Sequence, residues 1–156
     1  LSLWGGSSLT DSTQKLNKDG LNENIIPNTY VPGRNTIFIS VALSYAEAIQ
    51  ADSIGIGVNS LDYSGYPDCR PDYIKKFQEL AALSNKRGRE NNPITLWTPL
   101  INLNKEEIIQ LAIENNVPIG KTWSCYAGKD KPCGMCDSCR IREKALIKWS
   151  LKNKEL

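Results

Sequence analysis

Residues 35–59 read NTIFISVALSYAEAIQADSIGIGVN, and a change of period inside this stretch decides the fold class. From Asn35 to Gln50 the apolar residues recur at helical spacing, with Phe38, Val41, Ala42, Tyr45, Ala46 and Ile49 on one face. That pattern predicts a core helix packed through those six side chains. From Ser53 to Val58 the run becomes short and β-branched, punctuated by Gly55 and Gly57, as in a strand buried in a parallel sheet.

Working outward, the alternation continues. Pro71 is well placed as the first residue of a helix that Ile74, Phe77, Leu80, Ala81 and Leu83 or Ser84 continue to about Gly88. Ile94 to Leu100, ITLWTPL, reads as a second strand stopped by Pro99. Asn104 and Glu107 make an N-cap pair for a helix through Ile113, and Pro118 closes that unit. From Arg140 to about Lys152 a basic amphipathic helix carries Ile141, Ala145, Leu146 and Trp149, with its lysines on a solvated face. The order of elements predicts a single α/β domain over residues 1–156, ending in a knuckle plus helix over residues 122–156.

Composition limits the chemistry. The 156 residues are 40% hydrophobic and 23% charged, with a formal net charge of +2. So small a charge argues against direct nucleic-acid binding, and no apolar run reaches the ~18 residues of a spanning helix. The chain opens on Leu rather than Met, which leads us to expect further sequence upstream. There is no histidine, so no imidazole of this chain serves as base or ligand.

Four of the five cysteines fall within fifteen residues: Cys125, Cys133, Cys136 and Cys139, in the run CYAGKDKPCGMCDSC. Two C-x-x-C units share Cys136, and thiolates at i and i+3 around a tight turn face one ion about 2.3 Å away. Gly134 and Asp137-Ser138 are suitable turn residues. Structural zinc is the expected occupant, with an iron–sulfur cluster and a disulfide pair as the alternatives. A zinc ion held by four sulfurs has no open position and acts as a staple. Cys69 stands alone and reads as a small, partly buried residue.

Ligands in parallel α/β sheets sit beyond the C-terminal ends of strands. There the chain reads NSLDYSGYPDCRPD, residues 59–72, with three carboxylates, two tyrosines and an arginine. Asp62 or Asp68 can accept paired hydrogen bonds from the edge of a guanine-like ring, Tyr63 or Tyr66 can stack on it, and Arg70 can hold an anionic substituent. An Asx-turn with its tyrosines in the core explains the same composition equally well. In TYVPGRNT, residues 29–36, Arg34 and Asn35 stand at a helix N-terminus, a reasonable site for phosphate or carboxylate.

Trp4 to Ser12, WGGSSLTDS, has the composition of a phosphate loop but not its order. Gly5 and Gly6 are adjacent, Lys15 is too far on, and the residues behind are rich in Asn, Asp and Gly, so an ordinary turn is expected.

Five blocks in order, GGSSLTD, PNTYVPGRNTIFISVALSYAEA, IGVNSLDYSGYPDCRPDYI, TPLINLNKEEI and TWSCYAGKDKPCGMCDSCRIR, resemble the 7-cyano-7-deazaguanine synthase family, within the PP-loop ATP pyrophosphatase superfamily. The resemblance spans nearly the whole chain. It implies a Rossmann-like parallel sheet of the adenine-nucleotide hydrolase type, and zinc on Cys125, Cys133, Cys136 and Cys139. It further implies a cytoplasmic, dimeric ligase that uses ATP and magnesium to convert 7-carboxy-7-deazaguanine and ammonia to the nitrile in queuosine biosynthesis. The expected substrate residues are Asp62, Tyr66, Asp68 and Arg70, and the expected phosphate or carboxylate residues are Arg34 and Asn35. The superfamily's SGGxDS loop is missing from these residues, so this chain alone is expected to bind ATP poorly and to turn over little. Two other readings carry different tests: a tRNA-modifying thiolase of the same superfamily would be coloured by iron–sulfur, and a zinc-stapled binding module would bind RNA with steep salt dependence.

Overall fold

The computed structural model describes residues 1–16 and 25–152, except the side chains of 63 and 64. Tyr63, one of the two candidate stacking residues, therefore lies outside the described side chains. The chain forms two compact units, one of Pro32–Asn102 and one of Leu1–Val31 with Leu103–Leu156.

The Pro32–Asn102 unit is α/β. In chain order it contains α1 (Arg34–Ala48), β1 (Ser53–Gly55), α2 (Asp62–Gly65), a 3-10 turn (Pro67–Cys69), α3 (Pro71–Ser84), α4 (Lys86–Arg89) and β2 (Thr95–Trp97). The two strands pair in parallel, with Ser53 opposite Thr95 and Gly55 opposite Trp97. Both are shorter than the apolar runs that predict them, because a ladder extends only where both partners offer backbone groups and Pro99 has no N–H. A last bond, from Ile56 N–H to Trp97 C=O at 2.9 Å, carries the pairing one residue past the strand.

The core lies between one sheet face and two helices. Ile39, Leu43 and Ala46 of α1 meet Ile74, Phe77 and Ala81 of α3 over Val58, Ile94 and Leu96. Each fully buried branched or aromatic side chain stabilises the fold by about 1.5–3 kcal/mol. The face of α1 differs from the one predicted. Of the six expected residues only Ala46 is in the core; Phe38, Val41, Tyr45 and Ile49 are exposed, Val41 and Tyr45 at 66%, whereas Ile39 is 3% exposed. α1 carries only Arg34 and Glu47 as charges, so it offers apolar stripes on more than one side and periodicity cannot choose between them. The buried stripe that results is Asn35, Ile39, Leu43 and Ala46. On α3, Leu80 and Leu83 likewise turn outward.

α3 stops at Ser84, and the chain bends into α4. A side chain at Gly88 would place its Cβ 2.2 Å from the Ala82 carbonyl oxygen, so glycine is needed for this close approach. Arg87 locks the bend: its N–H donates to Glu47 Oε1 (3.0 Å) and its guanidinium to Ala51 C=O (2.6 Å) and Asp52 Oδ1 (2.8 Å).

The second unit contains α5 (Lys105–Glu114), a 3-10 turn (Ile119–Lys121) and α6 (Asp137–Lys152). The capping box is present: Asn104 Oδ1 accepts the N–H groups of Glu106 and Glu107 while Glu107 accepts the N–H of Asn104. α5 and α6 are tied by Trp149 Nε1 donating to Gln110 Oε1 at 2.7 Å and by Lys148 and Lys152 pairing with Glu106. The WGGSSLTDS segment is a self-bonded turn. Gly5 and Gly6 have positive φ, the N–H groups of Thr10 and Asp11 donate to Ser7 C=O, and Asp11 accepts from Thr13 and Gln14. No helix begins in the described residues directly behind it, 13–16, whereas a phosphate loop leads straight into a helix N-terminus. No described helix is long and apolar enough to cross a membrane.

Candidate metal centre and ligand loop

Cys125, Cys133, Cys136 and Cys139 converge, with all four sulfurs within 4.8 Å of one another. Four sulfurs placed tetrahedrally at ~2.3 Å from zinc lie ~3.8 Å apart, a separation compatible with this cluster. The sequence builds it locally. Gly134 adopts φ 69°, a conformation suited to glycine, and brings Cys133 round to Cys136, while Cys139 enters on the first turn of α6. Arg142 sets the incoming strand of the loop, donating to Ile119 C=O (2.7 Å) and Thr122 C=O (2.9 Å), and Trp123 Nε1 donates to Cys125 C=O (3.0 Å).

Backbone N–H groups point at the sulfurs, as thiolate ligands require. Ala127 and Cys133 donate to Cys125 Sγ at 3.3 Å, and Met135 and Cys136 donate to Cys133 Sγ at 3.4 and 3.3 Å. The amides of Cys136 and Met135 hold the Cys133 thiol down at about 6, which favours the thiolate. Burial pushes the Cys139 thiol up to about 12. A cation at the centre is what would let all four ionise together. Thiolate ligands suit zinc, and four of them leave no place for a substrate.

The second candidate site is the loop after β1. Asp62 accepts the N–H of Asn59 (3.1 Å) and its Nδ2 (2.5 Å) through one oxygen, while Asn59 Oδ1 accepts the N–H of Leu61, which is an Asx-turn. Asp68 is 6% exposed and its Oδ2 accepts the Asn35 N–H at 2.9 Å. Gly33, at the N-cap of α1, supplies no side chain, so Asp68 caps that helix from 33 residues away. Asn35 returns the contact, with Nδ2 donating to Asp68 C=O and to Cys69 Sγ, both at 3.1 Å. Arg34 Nε donates to Asn35 Oδ1 at 3.3 Å.

The structure thus brings Arg34, Asn35, Asp62 and Asp68 around Cys69. Burial, with the negative charges of Asp62 and Asp68, drives the Cys69 thiol up to about 12, while Arg34 and Asn35 pull the other way. Tyr66 is half-buried against the core and Arg70 is exposed at the start of α3. Residue types alone do not reveal that Cys69 and Asn59 are centres of this network; the signal was their position beside the acidic residues. With Asp68 and Asn35 satisfying each other, their first task is to join loop to helix. A ligand in this loop would meet Arg70 at the surface.

A mixed α/β chain with a parallel strand pair, a folded acidic loop at the C-terminal end of one strand and a four-thiol centre able to hold zinc is the class defined here. Residues 1–150 match the family of the queuosine biosynthesis protein QueC, and the chain belongs to that family. It is 76% identical over 155 residues to a 7-cyano-7-deazaguanine synthase of Prochlorococcus marinus subsp. pastoris, covering 99% of this chain and 69% of that protein. It is 61% identical over 146 residues to the protein of the same name from Prochlorococcus marinus strain NATL2A, covering 94% of this chain and 65% of that protein. These relatives are enzymes, and the family places this chain in queuosine biosynthesis.

Proposed function

We propose that the chain belongs to a ligase that uses ATP to convert 7-carboxy-7-deazaguanine and ammonia to 7-cyano-7-deazaguanine. The 76% identity over 155 residues to a protein bearing that product's name carries the reading. The chemistry accounts for ATP. A carboxylate does not yield to ammonia until one oxygen is part of a leaving group, so attack on the α-phosphorus forms an acyl adenylate and releases pyrophosphate. Ammonia then displaces AMP and leaves the amide. The second carboxylate oxygen, now the amide oxygen, is adenylated in turn; loss of AMP and the remaining N–H protons gives the nitrile. Magnesium bound to the phosphates would neutralise their charge.

Asp62, Tyr66, Asp68 and Arg70 are our substrate residues, and Arg34 and Asn35 our residues for phosphate or carboxylate, with Asp68 and Asn35 acting by fixing the loop. Zinc on the four cysteines is structural. SGGxDS is absent from the 156 residues, so we expect tight ATP binding and turnover only when that loop is supplied. The working protein is a dimer in the cytoplasm. The test is nitrile formation from 7-carboxy-7-deazaguanine, ammonia and ATP, followed by mass spectrometry with AMP release. The 156-residue chain and the longer subsp. pastoris relative are assayed side by side. Product from the relative and none from the chain supports the reading; no product from the relative removes it. Tight ATP binding by the chain alone in isothermal titration contradicts the role given to the loop.

A further inference from the structure

We propose that the four-thiol centre is a redox-sensitive staple: a hydroperoxide oxidises Cys133, Cys136 closes a disulfide onto it, and the centre then lets its zinc go. The four sulfurs are not equally placed. Cys125, Cys136 and Cys139 are 7%, 2% and 8% exposed, whereas Cys133 is only half-buried. Residues 128–132 and 134–135, on both sides of it, are exposed, Met135 at 49%. Nothing stands within 4 Å of a Cβ built on Gly134. A small oxidant therefore reaches Cys133 from the open side of the turn, while the other three cysteines are covered.

The bonds around Cys133 suit that attack. The N–H groups of Met135 and Cys136 donate to its Sγ at 3.4 and 3.3 Å. They stabilise negative charge on the one sulfur that solvent reaches, and an accessible sulfur anion with a partner cysteine beside it is what oxidants select. Cys136 is the partner best placed. It lies three residues on, its N–H already meets Cys133 Sγ, and all four sulfurs are within 4.8 Å of one another. Closing to the ~2.05 Å of a disulfide takes a movement within the Gly134 turn. Cys125 is held more firmly. Its Sγ accepts the N–H groups of Ala127 and Cys133 at 3.3 Å, and its C=O accepts Trp123 Nε1.

The step balances with hydrogen peroxide as oxidant. The Cys133 thiolate attacks one peroxide oxygen, an S–O bond forms, the O–O bond breaks, and the hydroxide that leaves takes a proton to become water. The Cys136 thiolate then attacks the sulfenic sulfur of Cys133. An S–S bond forms, the S–O bond breaks, and the second hydroxide also leaves as water. Two thiolates, one peroxide and two protons become one disulfide and two waters; the sulfurs give up two electrons and the peroxide takes them.

Cys125 and Cys139 are what remains, two thiols where structural zinc needs four ligands. The loss reaches α6, which starts at Asp137 directly after Cys136 and carries Cys139 on its first turn. The Arg140 N–H donates to Cys136 C=O at 3.1 Å, so the oxidised residue is also part of the helix start. Cys69, 3% exposed and outside the cluster, stays reduced.

The test uses the zinc-loaded 156-residue chain and hydrogen peroxide and reads no turnover, so it succeeds or fails independently of the ligase reading. Released zinc is followed with a chromogenic chelator, and sulfur pairs by peptide mass spectrometry after alkylation. One peroxide consumed should free one zinc, with Cys133 linked to Cys136 and with Cys69, Cys125 and Cys139 alkylated. When dimedone is present to trap sulfenic acid, its adduct on Cys133 should exceed that on each other cluster cysteine by ~10-fold or more. Amides in the first turns of α6 should exchange ~10-fold or more faster after oxidation, and dithiothreitol with added zinc should restore them. Dimedone adducts spread evenly over the four cysteines would overturn the proposal. So would a disulfide that leaves out Cys133 or Cys136, zinc retained by the oxidised chain, or a reduced chain that takes up no zinc.

Discussion

Replacing Asp68 by Ala separates a residue that builds the loop from one that only reads a ligand. The substitution takes away the one carboxylate oxygen that accepts the Asn35 N–H, in a place where Asp68 is 6% and Asn35 8% exposed. An orphaned buried N–H costs about 1–3 kcal/mol. Loss of the negative charge at the start of α1 adds about 0.3–1 kcal/mol. The Nδ2 of Asn35 keeps its two acceptors, Asp68 C=O and Cys69 Sγ, so no further term enters. The expected total is about 1.3–4 kcal/mol; with a urea slope of about 1–3 kcal/mol/M it moves the unfolding midpoint down by about 0.4 M or more. Asp68→Asn, whose amide oxygen still accepts the N–H, should cost only about 1 kcal/mol. Far-UV circular dichroism in urea, with zinc held constant, reads both values. An Asp68→Ala midpoint within about 0.2 M of the parent, well inside the slope just used, would show that the carboxylate does not cap α1. Its exposure to ligand would then be its main role.

Three further outcomes follow from the geometry. Cys136 is 2% exposed at the centre of the cluster; Cys136→Ser should reduce bound zinc from one per chain to under about a tenth, and chelation of the parent should release both metal and protection of α6 amides, read by atomic absorption and hydrogen exchange. Cys69 has its thiol pushed from 9.0 up to about 12, so the folded state favours the neutral thiol. The stability this gives is complete below pH 9 and fades as pH rises from 9 toward about 12. Melting temperatures of Cys69→Ala should therefore fall less steeply than the parent's over that window, and identical slopes would deny the linkage. Asn104→Ala should cost about 1 kcal/mol by removing the acceptor of two first-turn amides of α5, measured by urea unfolding.

What the sequence made legible depended on distance along the chain. The cysteine cluster was readable because its four thiols span fifteen residues, its turn uses Gly134, and each spacing can be tested against the geometry of one ion. The cap of α5 was readable for the same reason, since Asn104 and Glu107 are three residues apart. α1 was readable as a helix but not by face. A stretch with charges only at Arg34 and Glu47 has no polar side to point outward. Its start is anchored by Asp68, 33 residues further along the chain, a distance over which local spacing carries no signal. The acidic loop therefore divides in a way composition could not show: Asp68 and Asn35 hold the loop on the helix, and Asp62 folds the turn that leaves β1. Groups bonded to each other inside the fold have little left to offer a substrate, so a ligand is to be sought beyond the C-terminal end of β1, where the acidic loop reaches the surface.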